Sequence, residues 1–233
     1  MVRALTIGVL ALASTGLFAD DLISPEGRNM LIGFEVTSRS VYERKYLHPI
    51  CPACDKTASG VTLGIGYDIG YYRLATVRMD WSAHPQLDEF SPYTGLTGSR
   101  AAQAIPKLRH VTTPYLLAEQ VFDATTVVQY YRVAARTFGA PFLSAPPEVR
   151  AALLSLVLNR GGSLGASQMH EDTLPPFRRN YRWEMRQIAN RCLPAADYAC
   201  VARMFREMKR LWPSVPGLVK RRETEAKMVE RAL

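Results

Sequence analysis

Ser59-Gly60-Val61-Thr62-Leu63-Gly64-Ile65-Gly66-Tyr67-Asp68-Ile69-Gly70 is the stretch on which the fold turns. β-favouring residues alternate there with glycines at 60, 64, 66 and 70, and no other part of the chain has a convincing β pattern. Glycine weakens a strand through chain entropy and missing side-chain contacts, so its repeated use marks a bend or a close approach of backbone to a ligand. A short hairpin or bent strand is the expectation. Thr62 and Asp68 have the same parity, but a straight strand would hold them about 20 Å apart. They serve one site only if the glycines turn the chain. The segment is not a nucleotide loop, because Gly64-Ile65-Gly66 lacks the third glycine and the crossover pattern around it.

Outward from this element the pattern is helical. Ser24-Pro25-Glu26 starts a helix with an N-cap, a proline at the first helical position and an acid facing the dipole, and the helix runs to about Thr37. Residues 80 to 97 read as loop, and Ser99 to about Leu108 as a short helix. Thr113-Pro114 opens the longest helix, where Leu117, Val121, Ala124, Val128, Tyr131, Ala135 and Phe138 recur at steps of four and three and read as core. Gly139 to Pro147 breaks the chain. Val149, Ala152, Leu153, Leu156 and Val157 then give a wide apolar face that should sit centrally, ended by Asn159-Arg160-Gly161-Gly162. Met185, Ile188, Ala189 and Cys192 mark another helix, Val201, Phe205, Met208 and Trp212 a further one. Leu218 to Ala232 closes the chain, with Glu223 and Lys227 on its exposed side at i, i+4. With no repeat and no linker, the expected fold class is α+β and mostly helical: a small β-hairpin near the N-terminal part and a helical bundle lobe.

The 233 residues include 48% hydrophobic and 21% charged residues, which excludes a disordered, collagen-like or disulfide-scaffold chain. Twenty-nine Lys and Arg against 21 Asp and Glu leave +8. That balance suits an anionic partner: nucleic acid, anionic membrane or bacterial cell-wall polymer. Residues 1 to 19 read as a signal peptide, with Arg3 as a positive start, an apolar Ala4 to Leu12 and small residues before Asp20. The run is shorter than the roughly 20 residues of a membrane span, and Leu17 stands where a small residue is usual before the cut, which keeps an uncleaved anchor as the alternative. The expected product is a unit over 20–233, periplasmic or secreted. No stable membrane insertion is expected after cleavage, and no nucleic-acid partner, since no aromatic-basic RNA motif or recognition helix is present.

Four cysteines suit an oxidising compartment and allow three pairings. Cys192 with Cys200 is the preferred bridge, because Leu193 to Ala199 contains Pro194 and looks like a turn between helices. Zinc and a redox Cys51-Pro52-Ala53-Cys54 are the weaker alternatives, since neither the second pair nor the pattern around Cys51 fits them. His48, His84, His110 and His170 have no metal-site spacing, so no metal and no cofactor are expected. Trp81, Trp183 and Trp212 read as core packing before sugar platforms. Arg178, Arg179, Arg182, Arg186, Lys209, Arg210, Arg221 and Arg222 read as solvated faces, and Asn159 and Arg160 as a helix cap bordering the site at most.

Glu35 is the leading acid candidate. It shares a helix face with Leu31 and Ile32, and half-burial favours the protonated form a general acid needs. The plainer reading of the same residue is a Glu paired with an Arg at the core's edge.

Glu35 on its helix, the segment 59–70, Asn159-Arg160-Gly161 after an apolar helix, and Gly217-Leu218-Val219-Lys220-Arg221-Arg222-Glu223-Thr224-Glu225-Ala226 come in one order. Thr94-Gly95-Leu96-Thr97-Gly98 and Ala118-Glu119-Gln120-Val121-Phe122 fit the same series. Together they resemble the phage-type lysozymes, nearest the branch that includes the pesticin lysozyme domain, over about residues 26 to 232. The resemblance implies a lysozyme-like fold and a bacteriolytic, antimicrobial muramidase. Such an enzyme hydrolyses the β-1,4 bond between N-acetylmuramic acid and N-acetylglucosamine in peptidoglycan. Glu35 matches the family's general acid, Thr62 its strand threonine, and Asp68 the aspartate this branch places six residues later. The commoner arrangement puts the carboxylate six residues before the threonine; Lys56 stands there, and Asp55 is the reserve. The implied partners are the polysaccharide and an immunity or inhibitor protein, the chain itself being a monomer. A lytic transglycosylase and a catalytically inactive wall-binding module are the alternatives.

Overall fold

The computed structural model describes residues 19–55 and 58–233. The signal peptide expected over 1–19 lies, apart from Ala19, outside the described residues, as does Lys56. The described chain is mostly helical with one small antiparallel sheet.

Helix α1 (Ala19–Leu22) precedes α2 (Pro25–Val36). Ser24 caps α2 by accepting the Gly27 amide at 3.2 Å, and Pro25 takes the first helical position. The helix stops at Thr37, a β-branched residue at φ +68°. Helix α3 (Arg39–Lys45) follows at once, begun by the Ser38 side chain accepting from Val41 N.

Strands β1 (Thr62–Leu63) and β2 (Tyr67–Asp68) pair antiparallel with Thr62 opposite Asp68 and Leu63 opposite Tyr67. Gly64 at φ +58° and Gly66 at φ +74° reverse the chain between them. Gly60 and Gly70 are present for another reason: a Cβ on Gly60 would come within 2.6 Å of the Gly70 Cα.

Helices α4 (Leu74–Asp80), α5 (Leu87–Phe90) and α6 (Gly98–Ala104) complete the hairpin's surroundings. The loop expected over 80–97 is corrected, since α5 and a 3₁₀ turn at Ser91–Tyr93 lie inside it. Phe90 is fully buried and packs edge-on against Trp81 and His84, so tertiary contacts order a segment whose composition favours turns.

Helix α7 (Tyr115–Val121) runs through a π-helical stretch, Phe122–Val127, into α8 (Val128–Phe138). This corrects the expected core stripe. Ala124 is exposed and Val127 is buried, because the wider π turn shifts the apolar face by about one position. Helix α9 (Ala140–Leu143) occupies part of the expected break. Helix α10 (Pro147–Arg160) is central: every residue from Ala151 to Val157 is buried, and the helix packs on α2, α8 and α13.

Helix α11 (Trp183–Gln187) extends through a second π stretch to Cys192, followed by α12 (Tyr198–Glu207) and α13 (Pro216–Glu230). A disulfide joins Cys192 to Cys200 across that turn, and a second joins Cys51 to Cys54. Among the described residues no helix is long and apolar enough to cross a membrane.

The expected solvated basic faces need correction. Arg221 and Arg222 are buried against Glu225, Arg186 is buried against Glu171, and Arg210 pairs with the buried Glu184. Arg179 and Arg182 are half-buried, and Arg178 is exposed. Glu223 pairs with Arg206 and Lys209 of the neighbouring segment, not with Lys227. The helical-face reading failed because α13 is packed by both α10 and α12, so guanidiniums with long apolar stems enter the interface as ion pairs.

Three apolar clusters result. One fills the lobe of α8 and α10–α13, and one lies around the hairpin with Trp81 and Phe90. The third joins α1–α3 to Phe122, Val127 and Leu154 and includes Ile65 from the hairpin turn. The hairpin tip is thereby held beside α2 and the π turn.

Candidate active site

Glu35 sits in the last turn of α2, with Leu31 and Ile32 buried on the same helix. Its side chain is 31% exposed and lines a cleft of about 320 Å³. Burial pushes its carboxyl above the usual carboxylate range, and the Arg221 guanidinium, 3.6 Å away, works against that shift without cancelling it. From the hairpin side Gly66 covers the carboxylate: a Cβ there would stand 3.6 Å from Glu35 Oε2.

Ile65, Gly66, Asp68, Tyr71 and Tyr72 form the hairpin wall of the cleft. Phe122, Thr126, Gln129 and Tyr130 form the opposite wall, and Leu158 contributes from α10. The π turn therefore does more than shift the core: it presents Thr126 to the cleft. Tyr72 stacks on Tyr67 with centroids 4.4 Å apart and donates its hydroxyl to Gln129 Oε1 at 3.4 Å, linking the two walls.

The Asp68 carboxylate accepts the Gly60 and Gly70 amides at 2.9 Å each and the Ser59 hydroxyl at 3.3 Å. A carboxylate offers about four acceptor positions, so about one is left for a water or substrate. Thr62 lies directly across the ladder, where such pairs have Cβ atoms about 4.5 to 5.5 Å apart. Its hydroxyl donates to Gly60 O at 3.3 Å; the residue is 8% exposed and does not line the cleft. The structure thus brings Glu35 and Asp68 to one cavity and leaves Thr62 beneath it. Asp55 is exposed and outside the cleft lining.

Arg221 is a site residue the sequence reading placed on a solvated face. It donates to Ser155 Oγ at 3.1 Å and Ser155 O at 3.3 Å, lies 3.5 Å from Glu225, and covers the Phe34 ring at 4.5 Å. Ser155 in turn donates to Glu225 Oε1 at 2.5 Å, and Arg222 donates to the same oxygen at 2.8 Å. Burial pushes the Glu225 carboxyl up and the Arg222 guanidinium down. The spacing Arg221-Arg222-x-x-Glu225, cations three and four residues from an acid on one helix face, was the available signal. Tyr71 and Tyr72, next to Gly70, were a further unread one.

Asn159 and Arg160 do not line the cleft. Asn159 accepts from Arg222, and Arg160 donates to Tyr181 O and covers Trp212. Trp81 and Trp183 are buried and Trp212 packs against the helical core; none lines the cleft. Among the described residues no group of three His, Cys, Asp or Glu could hold a metal ion. No family model matches this chain, and no curated protein shows significant similarity to it.

Proposed function

We propose that this chain has a lysozyme-like fold and is a muramidase, cleaving the β-1,4 bond between N-acetylmuramic acid and N-acetylglucosamine in peptidoglycan. The observation that carries the reading is the Glu35 carboxyl, held above its ordinary pKa at a cleft whose other wall presents Asp68. Glycoside hydrolysis with inversion needs one protonated carboxyl for the leaving oxygen and a second carboxylate to activate water. Glu35 supplies the proton. Asp68, fixed by two backbone amides and a hydroxyl, orients the water with its remaining acceptor position. Thr62 acts from behind Asp68 and steadies the ladder that aims it. The +8 balance draws the enzyme to an anionic wall polymer, met in the periplasm or outside the cell.

One observation favours a second reading. The hairpin already uses most of Asp68's acceptor capacity, and Thr62 is buried, which suits a lytic transglycosylase that keeps the acid and needs no positioned water. Incubating the purified protein with isolated peptidoglycan and identifying the new ends separates the two. Reducing muramic acid ends support the muramidase. Anhydro-muramoyl ends support the transglycosylase, and no release from a folded protein leaves a wall-binding module.

A further inference from the structure

We infer that the groove between α2 and α13 is a docking site for an acidic, partly apolar segment of a protein partner, flanked by Lys220 and Arg231. The groove is distinct from the cleft and, at about 740 Å³, larger than it.

Gly33 lies within α2, where glycine is among the poorest helix formers. Among the described residues nothing asks for it: its φ is not in the left-handed range, and a Cβ there would meet none of their atoms within 4 Å. The same open space stands over Gly217 in the first turn of α13. The two glycines line one groove from its two helices, which leaves room for another backbone to come close to both. Thr37, at the groove's end, holds φ +68°, a conformation β-branched residues rarely adopt and one that clusters at ligand-binding positions.

The chemistry of the walls selects the occupant. Met30, Phe34 and Met228 give the lining an apolar part, which suits aliphatic side chains. Lys220 and Arg231 stand exposed with no acidic partner among the described residues, and Glu26 is the one acid lining the groove. Arg221 borders the same space, but its guanidinium is held by Ser155, Glu35 and Glu225. Two unpaired cations, Lys220 and Arg231, against one carboxylate, set around an apolar lining, complement a peptide that alternates acidic and aliphatic residues. A nucleic acid fits less well, because the Phe34 face on which a base would stack is already covered by Arg221. A lipid surface fits less well because the feature is concave.

The test titrates the ¹⁵N-labelled full chain with an acetylated, amidated hexapeptide of alternating glutamate and leucine, followed by amide shifts. Saturable shifts at Gly33, Thr37 and Gly217 with a Kd below about 1 mM are expected. Binding should weaken about tenfold or more in Gly33→Leu, in the pair Lys220→Glu with Arg231→Glu, and when glutamine replaces glutamate in the peptide. Gly33→Ala should melt higher than the parent, because only helix propensity changes. Lower melting of Gly33→Ala would make the glycine structural and overturn the argument. So would peptide affinity unchanged in Gly33→Leu and the charge-reversed pair, or no saturable shift in the folded chain. Binding to phosphatidylglycerol vesicles with none to the peptide would overturn it too. The readout is binding, so it stands or falls independently of hydrolysis.

Discussion

The Arg221 guanidinium stands 3.6 Å from the Glu35 carboxylate, yet its own position is set by Ser155 and Glu225 in the buried seam between α10 and α13. The acid is therefore subject to two opposed influences from different parts of the fold. Burial beside Leu31 and Ile32 favours the proton, Arg221 favours its loss, and burial prevails. Ser155 and Glu225 hold Arg221 in a place from which it offsets the effect of burial only in part.

Glu35→Gln should abolish wall hydrolysis while leaving the fold intact, because an amide of the same shape has no proton to give the leaving oxygen. A general acid contributes about 10²- to 10⁴-fold. Turbidity loss of a peptidoglycan suspension measures it, and a folded variant keeping more than about a tenth of the parent rate would remove Glu35 from the role.

The same substitution carries a stability signature. The Glu35 carboxyl holds its proton in the folded chain at pH values where the unfolded chain, near the ordinary 4.5, has lost it. The folded form then binds more protons, so this group's contribution to stability falls as pH rises from about 4.5 through the raised value. Glu35→Gln lacks that penalty. Its melting temperature relative to the parent should rise between acidic and neutral pH. A difference independent of pH would show that Glu35 ionises as freely folded as unfolded.

The sequence pattern located the acid and the hairpin because both depend on local chemistry. Ser24-Pro25-Glu26 determines where α2 starts, and hence that Glu35 falls on the face of Leu31 and Ile32. Gly64 and Gly66 determine where the chain reverses, and hence that Thr62 meets Asp68. The far wall was not legible. Thr126, Gln129 and Tyr130 reach the cleft by way of a π turn, a change of helical phase that the apolar spacing of 117–138 does not announce. The spacing of Arg221 and Arg222 to Glu225 signals an ion pair on one helix, but not its burial, because the enclosure comes from α10 and α12.

Glu225→Ala tests the tether. Arg222, fully buried, would lose its counter-charge, and removing one member of a buried pair costs about 3–5 kcal/mol. Urea unfolding should show the midpoint falling with the slope unchanged. A loss under about 1 kcal/mol would mean that Asn159 and Trp212 suffice to hold Arg222.

The last prediction separates the two placements of the second carboxylate. Asp68 has a structural duty, receiving the Gly60 and Gly70 amides, as well as the proposed chemical one. Asp68→Ala alone would confound them, since it leaves two part-buried amides unmet, at a cost below the about 1–3 kcal/mol of a fully buried group. Asp68→Asn keeps an acceptor for one amide and, being neutral, cannot take a proton from water. If Asp68 activates the water, Asp68→Asn should lower kcat with little change in KM while the chain stays folded, because the lost interaction belongs to the transition state. Thr62→Val should cost less, since its hydroxyl is already committed to Gly60 O and lies outside the cleft. Asp55→Ala should be nearly silent, its side chain being exposed and away from Glu35's cavity. Parent-like turnover in Asp68→Asn together with collapse in Asp55→Ala would transfer the role to Asp55 and bring the chain to the commoner arrangement of carboxylate before threonine. Parent-like turnover in both, with anhydro-muramoyl products, would instead establish the transglycosylase.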